Sequence, residues 1–332
     1  MTSTPDPFVE HSLRTSLFFP QTRLFVAGNP KAAGTSLRWW LLEAHGVDVP
    51  AATAESLWGE SAPFQAVWDG AVDLRFTWDR LSVAEREDAL TATDVVTVQP
   101  VRHPVTRAFS AWAGKYLTAE PYYAERLPPG FPDLPERVAS EAQIRELFTG
   151  FVTALAAHVA DSGSWSGVDV HFWPQGRLLA RPVAGQSLVL RQEELAEGLR
   201  RIEDQLRQHG VEVEPMPRVN ENVVSYRPDL VDPSAVEQLA GIYSDDFAVW
   251  DYPADAPTAG SRPVDLDWLN DVRGRNRRYG VVHRAATSER RRAERAEQEL
   301  ADARRREAEL TSSHSWRVTR PLRWASEHAR RR

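Results

Sequence analysis

Two segments of the chain share one order of features: a short apolar run, a tight turn with a basic residue, and an amphipathic helix. The first segment predicts a strand over Thr22–Ala27 and a helix over Gly34–Ala44, and the second a strand over Asp94–Gln99 and a helix over Pro104–Tyr116. Strands that alternate with helices form a parallel sheet covered by helices on both faces. The sequence therefore predicts an α/β fold with a three-layer parallel sheet.

Apolar periodicity predicts further elements of the same kind. Ser140–Ala160, Glu193–Gln208 and Pro233–Phe247 each place apolar side chains on one helical face. Ser187–Arg191 has the length and composition of another strand. These elements extend the predicted alternation to about residue 250.

The chain changes character after residue 253. Residues 254–263 are rich in Pro, Ala and Gly, which is typical of a linker. From Arg262 onward there are 19 arginines and 11 acidic residues, although the whole chain has a net charge of -7. Ser288–Leu310 consists almost entirely of Arg, Glu and Ala at an approximate 3-4 spacing. We predict a main domain over residues 1–253, a linker over 254–263, and a basic helical tail with a weak coiled coil over 264–332.

Composition limits the chemistry available to the chain. Its 332 residues include no cysteine, so disulfides and cysteine-ligated metals are excluded. A His-Glu-x-x-His motif and an Asp-rich calcium loop are both absent, and we expect no metal. The N-terminus lacks the basic and apolar regions of a signal peptide, and no apolar run reaches about 18 residues. We therefore expect a cytoplasmic protein that does not span the membrane.

The turn before the first long helix has the features of an anion site. A strand that enters a helix through a glycine-containing turn presents backbone N–H groups and the positive end of the helix dipole. Lys31 adds a charge, and Thr35 and Ser36 add hydroxyl groups. The lysine precedes Gly34, unlike the Gly-Lys-[Ser/Thr] order of a nucleotide triphosphatase, so a metal-independent phosphate or sulfate site is favoured. An ordinary turn with an exposed lysine is the alternative.

The second segment adds another anion site. Arg102 stands at the end of its strand, and Ser110 lies two turns into the helix that follows. A guanidinium group and a hydroxyl group together suit a phosphate. Because both turns follow strands of one predicted sheet, we expect a ligand with two phosphate groups held apart.

These two segments resemble the nucleotide-binding motifs of sulfotransferases, specifically the carbohydrate (family 2) branch. The motifs are Pro30-Lys-Ala-Ala-Gly-Thr-Ser36 and Arg102-His-Pro-Val-Thr-Arg-Ala-Phe-Ser110. The family has a P-loop-type fold and uses 3′-phosphoadenosine 5′-phosphosulfate (PAPS) as its co-substrate. The resemblance implies that Arg102 and Ser110 hold the 3′-phosphate. It assigns the 5′-phosphosulfate to Lys31, Ala32, Ala33, Gly34, Thr35 and Ser36.

Two later stretches extend the resemblance over about residues 22–252. Val170-His-Phe-Trp-Pro-Gln175 is similar to the His-Trp-x-Pro-Gln segment of the family, and Tyr243–Tyr252 to its closing Tyr-x-x-Asp-Phe segment. The chain departs from the family at Ala32-Ala33, where Thr-Gly is common, and at His103, where Asp or Glu is frequent. The first departure should narrow the turn.

The resemblance implies roles in catalysis for two side chains. Lys31 is expected to stabilise the bridging oxygen as charge develops on the leaving phosphate. His171 is our first candidate for the base that accepts the proton of the acceptor hydroxyl, since an imidazole titrates near neutral pH. A core histidine bonded to backbone is the alternative reading of His171. Other acceptor-side bases are conceivable within the sequence: Glu43, His45, Asp69, Asp73 and Asp79.

The C-terminal string Ser313–Trp324 resembles the tail of bacterial surface-polysaccharide glycosyltransferases. This implies a bacterial enzyme that sulfates a glycan or glycolipid at the inner face of the membrane. Tryptophan and leucine among arginines suit contact with anionic lipid or a partner enzyme, and the tail offers a route to oligomers. We expect no nucleic acid partner, because the main domain is acidic. The alternatives are a sulfotransferase of small natural products, a silent nucleotide-binding scaffold that recruits glycosyltransferases, and a metal-free P-loop kinase.

Overall fold

The computed structural model divides the chain into two compact units, Met1–Tyr279 and Gly280–Arg332. The residues that the structure describes are 6–47, 75–120, 123, 130–180, 184–217, 222–258, 262–313 and 319. This division does not test the domain boundaries predicted at residues 253 and 263, and they stay a prediction.

A four-stranded sheet forms the centre of the first unit. Its strands are β1 (Leu17–Phe19), β2 (Leu24–Val26), β3 (Val96–Val101) and β4 (Gln186–Arg191), in that spatial order. The pairs β2–β3 and β3–β4 are parallel, which confirms the predicted α/β class with a mostly parallel sheet. The expectation of a wholly parallel sheet is wrong at one edge, because β1 pairs antiparallel with β2. The segment that connects β1 to β2 is too short for the crossover that a parallel pair needs.

Helices surround the sheet in the first unit. The described elements of this unit include four 3₁₀ turns, at Trp78–Arg80, Val170–Phe172, Gln192–Glu194 and Pro228–Leu230, and one π-helical turn at Ala113–Leu117. The α-helices are α1 (Pro7–Arg14), α2 (Gly34–Ala44), α3 (Val83–Thr91), α4 (Pro104–Trp112), α5 (Glu141–Ser162), α6 (Gln175–Leu178), α7 (Leu195–Gln208), α8 (Pro233–Ile242), α9 (Ser244–Val249) and α10 (Leu266–Ser312), whose later part belongs to the second unit.

Alternation along the strands divides the core between the two faces of the sheet. Phe25 packs into a cluster with α4, α5 and α8, whereas Leu24 and Val26 pack into a second cluster with α2 and α7. Successive strand side chains point to opposite faces, so one strand supplies both clusters. Both faces are therefore covered, as the alternating sequence predicts.

Two predicted helices are interrupted in the structure. The predicted helix 104–116 ends as an α-helix at Trp112 and continues as the π-helical turn. The predicted helix 233–247 breaks at Tyr243, whose buried hydroxyl donates to the Phe172 carbonyl at 2.6 Å. The break at Tyr243 and the π-helical turn both lie next to the sequence motifs. Turns of the π-helical type are frequent at functional sites.

The two predicted anion turns lie side by side at the carboxyl ends of β2 and β3. Because β2 and β3 are adjacent and parallel, their carboxyl ends meet there, which is where ligands bind in such sheets. After Val26 the chain leaves the sheet, and the Asn29 side chain donates from Nδ2 to the Pro100 carbonyl at 2.8 Å. This hydrogen bond holds the first turn against the end of β3.

The second unit contains the later part of α10. Its described surface is charged, with ion pairs one turn apart between Glu289 and Arg292 at 2.9 Å and between Asp302 and Arg305. Such exposed pairs contribute little to stability. The coiled coil stays a prediction, and of the string Ser313–Trp324 only Ser313 and Thr319 lie within the described residues. No helix in the described ranges is long and apolar enough to cross a membrane.

Candidate active site

The first turn carries two residues in the left-handed region, Lys31 with φ of 66° and Ala33 with φ of 57°. This conformation costs a residue with a side chain about 1–2 kcal/mol. Left-handed residues in such turns aim backbone N–H groups into a concave anion site. Because Ala33 gives α2 no capping side chain, the helix begins at Gly34 without that cap. Ala33 thus adopts the left-handed conformation that glycine usually provides.

The remaining residues of this motif lie at the start of α2. Ala32 is buried, and Thr35 and Ser36 occupy the first helical turn. Hydroxyl groups at this position lie beside the positive end of the helix dipole. The motif residues are therefore gathered around one helix N-terminus, as the sequence predicts for an anion site.

The Lys31 ammonium group lies in a partly buried, positively charged environment. Its pKa is lowered to about 7, mainly by burial and also by the charges of Lys115 and Arg102, against the opposing effect of Glu120 and Asp169. Lys31 makes no ion pair within the described part of the chain. An anion beside Lys31 would favour the charged ammonium and raise this pKa.

Gly114, in the π-helical turn, leaves room for the Lys31 ammonium. A methyl group at Gly114 would lie 2.7 Å from Lys31 Nζ and 2.8 Å from Asn222 Oδ1. Both distances are shorter than ordinary carbon contacts, so a side chain at this position would displace one of the two groups. The π-helical turn thus brings the backbone close to the lysine.

Arg102 connects the second turn to the first. Its Nη1 donates to the Lys31 carbonyl at 3.4 Å, and its Nε donates to Thr106 Oγ1 at 3.0 Å. Burial lowers the pKa of Arg102 to about 10, so the guanidinium remains charged at neutral pH. Lys31 and Arg102 therefore place two basic groups at the carboxyl ends of neighbouring strands.

Ser110 is buried and held by a residue from a distant part of the chain. The Asn222 Nδ2 group donates to Ser110 Oγ at 2.7 Å and to the Ser110 carbonyl at 3.1 Å. Since Asn222 Oδ1 also lies beside Gly114, one amide joins the Ser110 hydroxyl to the Lys31 region.

His103 stands at the N-terminus of α4, at the position where Asp or Glu is frequent in the family that the motifs resemble. Its Nδ1 accepts from the Val105 N–H at 3.3 Å, and its Nε2 donates to the Pro253 carbonyl at 3.0 Å. The neutral ring makes both hydrogen bonds, and burial lowers the pKa of His103. The imidazole therefore caps the N-terminus of α4.

His171 forms a dyad with Asp169 in the 3₁₀ turn Val170–Phe172. Asp169 Oδ1 lies 2.6 Å from His171 Nδ1 and also accepts from the His171 N–H at 3.0 Å. A carboxylate only accepts, so Nδ1 carries the proton and Nε2 keeps a lone pair. Among the described residues Nε2 has no hydrogen-bond partner, and the side chain is 18% exposed. This geometry suits a base that is oriented by a carboxylate.

Lys115, the other lysine of the chain, lies on the same side of the site. Its Nζ is 2.8 Å from Glu120 Oε2 and 4.2 Å from the centre of the Tyr123 ring, which meets His171 edge-on at 5.3 Å. The pKa of His171 is lowered to about 4, mainly by burial and also by the charges of Lys115 and Lys31, although Asp169 opposes them. His171 is therefore neutral in the ligand-free protein near pH 7.

The other candidate bases do not share this arrangement. His45 is bonded through both ring nitrogens, to Thr22 Oγ1 at 2.9 Å and to the Leu41 carbonyl at 2.6 Å. Glu43 and Asp79 are exposed, and Asp79 faces Arg14 at 3.9 Å. Asp69 and Asp73 lie outside the described residues.

Sequence reasoning did not assign a role to several buried polar residues that hold the site together. Arg107 is 1% exposed, and it donates from Nε to the Pro30 carbonyl at 3.0 Å and from Nη1 to the Trp173 carbonyl at 2.8 Å. Its position inside the second motif is a signal that was available, but its partners lie too far along the chain to be inferred. Arg107 fastens the lysine turn to the segment that carries His171.

A family model described as the sulfotransferase family matches residues 66–253, more than half of the chain. The matched range contains Arg102, Ser110, His171 and the Tyr243–Tyr252 stretch, and it begins after the lysine turn. Searches of the curated proteins and of the solved structures found no match. The match lies on the unit that carries the two basic turns and the Asp169–His171 dyad, and the chain belongs to the sulfotransferase family.

Proposed function

We propose that the protein transfers a sulfuryl group from PAPS to a hydroxyl group of a glycan or glycolipid. The observation that carries the proposal is the convergence of Lys31 and Arg102 at one sheet edge, beside a histidine whose Nε2 is available to accept a proton. Basic groups suit the phosphates of the donor, and the histidine suits the acceptor hydroxyl.

The residues of the two turns fit a donor with two phosphate groups. We assign the 3′-phosphate to Arg102 and Ser110, and the 5′-phosphosulfate to Lys31 and the N-terminus of α2. Support comes from the lowered pKa of Lys31, which reflects burial first and then the positive charges of Lys115 and Arg102, and a polyanion beside Lys31 would offset both effects. The same anion would offset the lysine charges that lower the pKa of His171, and so make the imidazole a stronger base.

Sulfuryl transfer requires one bond to form while another breaks in line with it. In this proposal His171 Nε2 accepts the proton of the acceptor hydroxyl as its oxygen bonds to sulfur. The bond from sulfur to the bridging oxygen of the phosphate breaks, and Lys31 stabilises the charge on that oxygen. Asp169 holds the imidazole in the correct tautomer. The products are a sulfate ester and adenosine 3′,5′-bisphosphate.

The decisive test is calorimetric titration of the full-length protein with adenosine 3′,5′-bisphosphate and, separately, with ATP and Mg²⁺. We expect bisphosphate binding without Mg²⁺, weakened about 10–100-fold in Arg102→Ala because charged hydrogen bonds are lost. Arg200→Ala is the matched control, since Arg200 is exposed and pairs only with Glu197 and its own helix backbone among the described residues. A preference for ATP with Mg²⁺ would favour a kinase. Binding without transfer to any acceptor would favour the silent scaffold.

The basic tail suggests where the reaction takes place. We propose that the protein is a bacterial enzyme and that its residues 286–332 hold it at the inner face of the membrane. They would do so by binding anionic lipid or a glycosyltransferase partner. The exposed, arginine-rich surface of α10 supports a contact with anions. Deletion of residues 286–332 is expected to abolish co-sedimentation with anionic vesicles and to leave bisphosphate affinity unchanged. Unaltered co-sedimentation would contradict the lipid contact.

A further inference from the structure

Gln175 touches both basic turns through a single side-chain amide. It is the first residue of α6 and is fully buried. Its Oε1 accepts from the Arg102 N–H at 3.0 Å and from Asn29 Nδ2 at 2.9 Å, and its Nε2 donates to the Arg102 carbonyl at 2.7 Å. One side chain therefore bonds to both backbone groups of the arginine in the second turn and to a residue of the first.

Asn29 extends this connection to the lysine. It stands two residues before Lys31, and its Nδ2 group also donates to the Pro100 carbonyl at 2.8 Å. The first turn is thus fixed by the Asn29 amide both to the end of β3 and to Gln175. A shift of Gln175 would change the position of the Lys31 turn relative to Arg102.

The backbone of Gln175 is fixed from the opposite side. The Asp246 carboxylate, fully buried, accepts from the Gln175 N–H at 2.8 Å and from the Gly176 N–H at 2.7 Å. Arg107 bonds the carbonyl of Trp173, two residues earlier, to the first turn. The amide of Gln175 therefore projects from an anchored backbone, and its position is set by two buried charged residues.

We propose that Gln175 is a positioning residue that sets the separation between the two phosphate subsites, so that both phosphates of one ligand bind together. This inference rests on the proposed function, which supplies the bisphosphate. Two linked groups gain affinity from each other only where the sites lie at the distance that the linker spans. A misplacement of about 1 Å is enough to lose much of that gain.

The test compares one bisphosphate with its two halves. Full-length wild type and Gln175→Leu are titrated with adenosine 3′,5′-bisphosphate, adenosine 5′-monophosphate and adenosine 3′-monophosphate. We expect the variant to bind the bisphosphate at least about 30-fold more weakly and each monophosphate less than about threefold more weakly. A parallel loss for all three ligands would overturn the positioning role and leave the proposed function standing. Wild type that binds the bisphosphate no more tightly than a monophosphate would overturn both.

Gln99→Leu is the matched control for the same chemical change. Gln99 is also buried, but its Oε1 accepts from Ser187 Oγ at 2.8 Å and so connects two neighbouring strands. We expect this variant to keep the wild-type ratio of bisphosphate to monophosphate affinity. Where Gln175→Leu lacks a cooperative thermal transition, Gln175→Glu takes its place, because it keeps one oxygen acceptor and puts a second carboxyl oxygen, in place of the donor, opposite the Arg102 carbonyl. The ratio of bisphosphate to monophosphate affinity of Gln175→Glu must also fall for the proposal to stand.

Discussion

Replacing Lys31 by methionine is expected to lower kcat for sulfuryl transfer by roughly 10³-fold. Methionine keeps most of the length of the side chain and removes the positive charge that, in our proposal, stabilises the bridging oxygen. The effect is large because Lys31 lies partly buried, where a charge acts more strongly than in water. The measurement is transfer of radiolabelled sulfate from PAPS to a panel of glycosides at saturating donor.

The same lysine predicts how activity depends on pH. The pKa of Lys31 is lowered to about 7 in the ligand-free protein, and only the charged form attracts the donor. Since kcat/KM reports the free enzyme, we expect it to fall about tenfold per pH unit above pH 7. The decline should be absent from Lys31→Met, whose remaining activity no longer depends on that proton.

Lys115→Met is the matched control, because Lys31 and Lys115 are the only lysines of the chain. Lys115 is paired with Glu120, so its loss is expected to cost less than about tenfold in kcat. Its positive charge lowers the pKa of Lys31, and the alkaline decline should therefore move to higher pH in this variant. Equal losses in the two variants, or an active Lys31→Met, would contradict the role assigned to Lys31.

The second large effect is expected for His171→Gln, which removes the base and retains a polar side chain. We expect kcat to fall by roughly 10²–10⁴-fold, the usual contribution of general base catalysis. Affinity for adenosine 3′,5′-bisphosphate should stay within about threefold of wild type, because the histidine acts on the acceptor and not on the donor phosphates. Single-turnover transfer and calorimetry on the same preparations measure the two quantities.

Two variants separate a base from a structural histidine. His45→Gln makes the same change at a ring whose two nitrogens are bonded to Thr22 and Leu41, and we expect it to lower stability while kcat stays unchanged. Asp169→Asn should lower kcat with affinity intact, since an amide no longer fixes the productive tautomer of His171. Loss of both transfer and bisphosphate binding in His171→Gln would instead assign His171 to the core.

Local pattern was sufficient to predict much of the fold. The helix Gly34–Ala44 has the bounds that its apolar periodicity and its initial glycine indicate. Strands β2, β3 and β4 also lie where apolar runs predict them. These elements depend on residues within one or two turns of each other, so a single sequence contains the necessary information. The interruptions at Tyr243 and at Ala113–Leu117 could not be predicted in this way, because they depend on contacts with distant segments.

The supporting residues of the site could not be predicted for the same reason. Asn29 bonds to Gln175 across 146 positions, and Asn222 bonds to Ser110 across 112. Glutamine and asparagine are common on surfaces, and nothing in their neighbourhood indicates burial. Asp169 is different, since an Asp-x-His spacing before a short helix is a recognisable local signal of a cap that also reaches the ring.

The buried carboxylate of Asp246 makes the anchoring of Gln175 depend on a late part of the chain. The lysine turn and Arg102 belong to the first third of the chain, but the residue that anchors Gln175 emerges from the ribosome much later. Contacts of such long range are made late in folding. A nascent chain that ends before Asp246 therefore has both basic turns without the fixed spacing between them. Under the proposed function, donor affinity should appear only as folding of the first unit is completed.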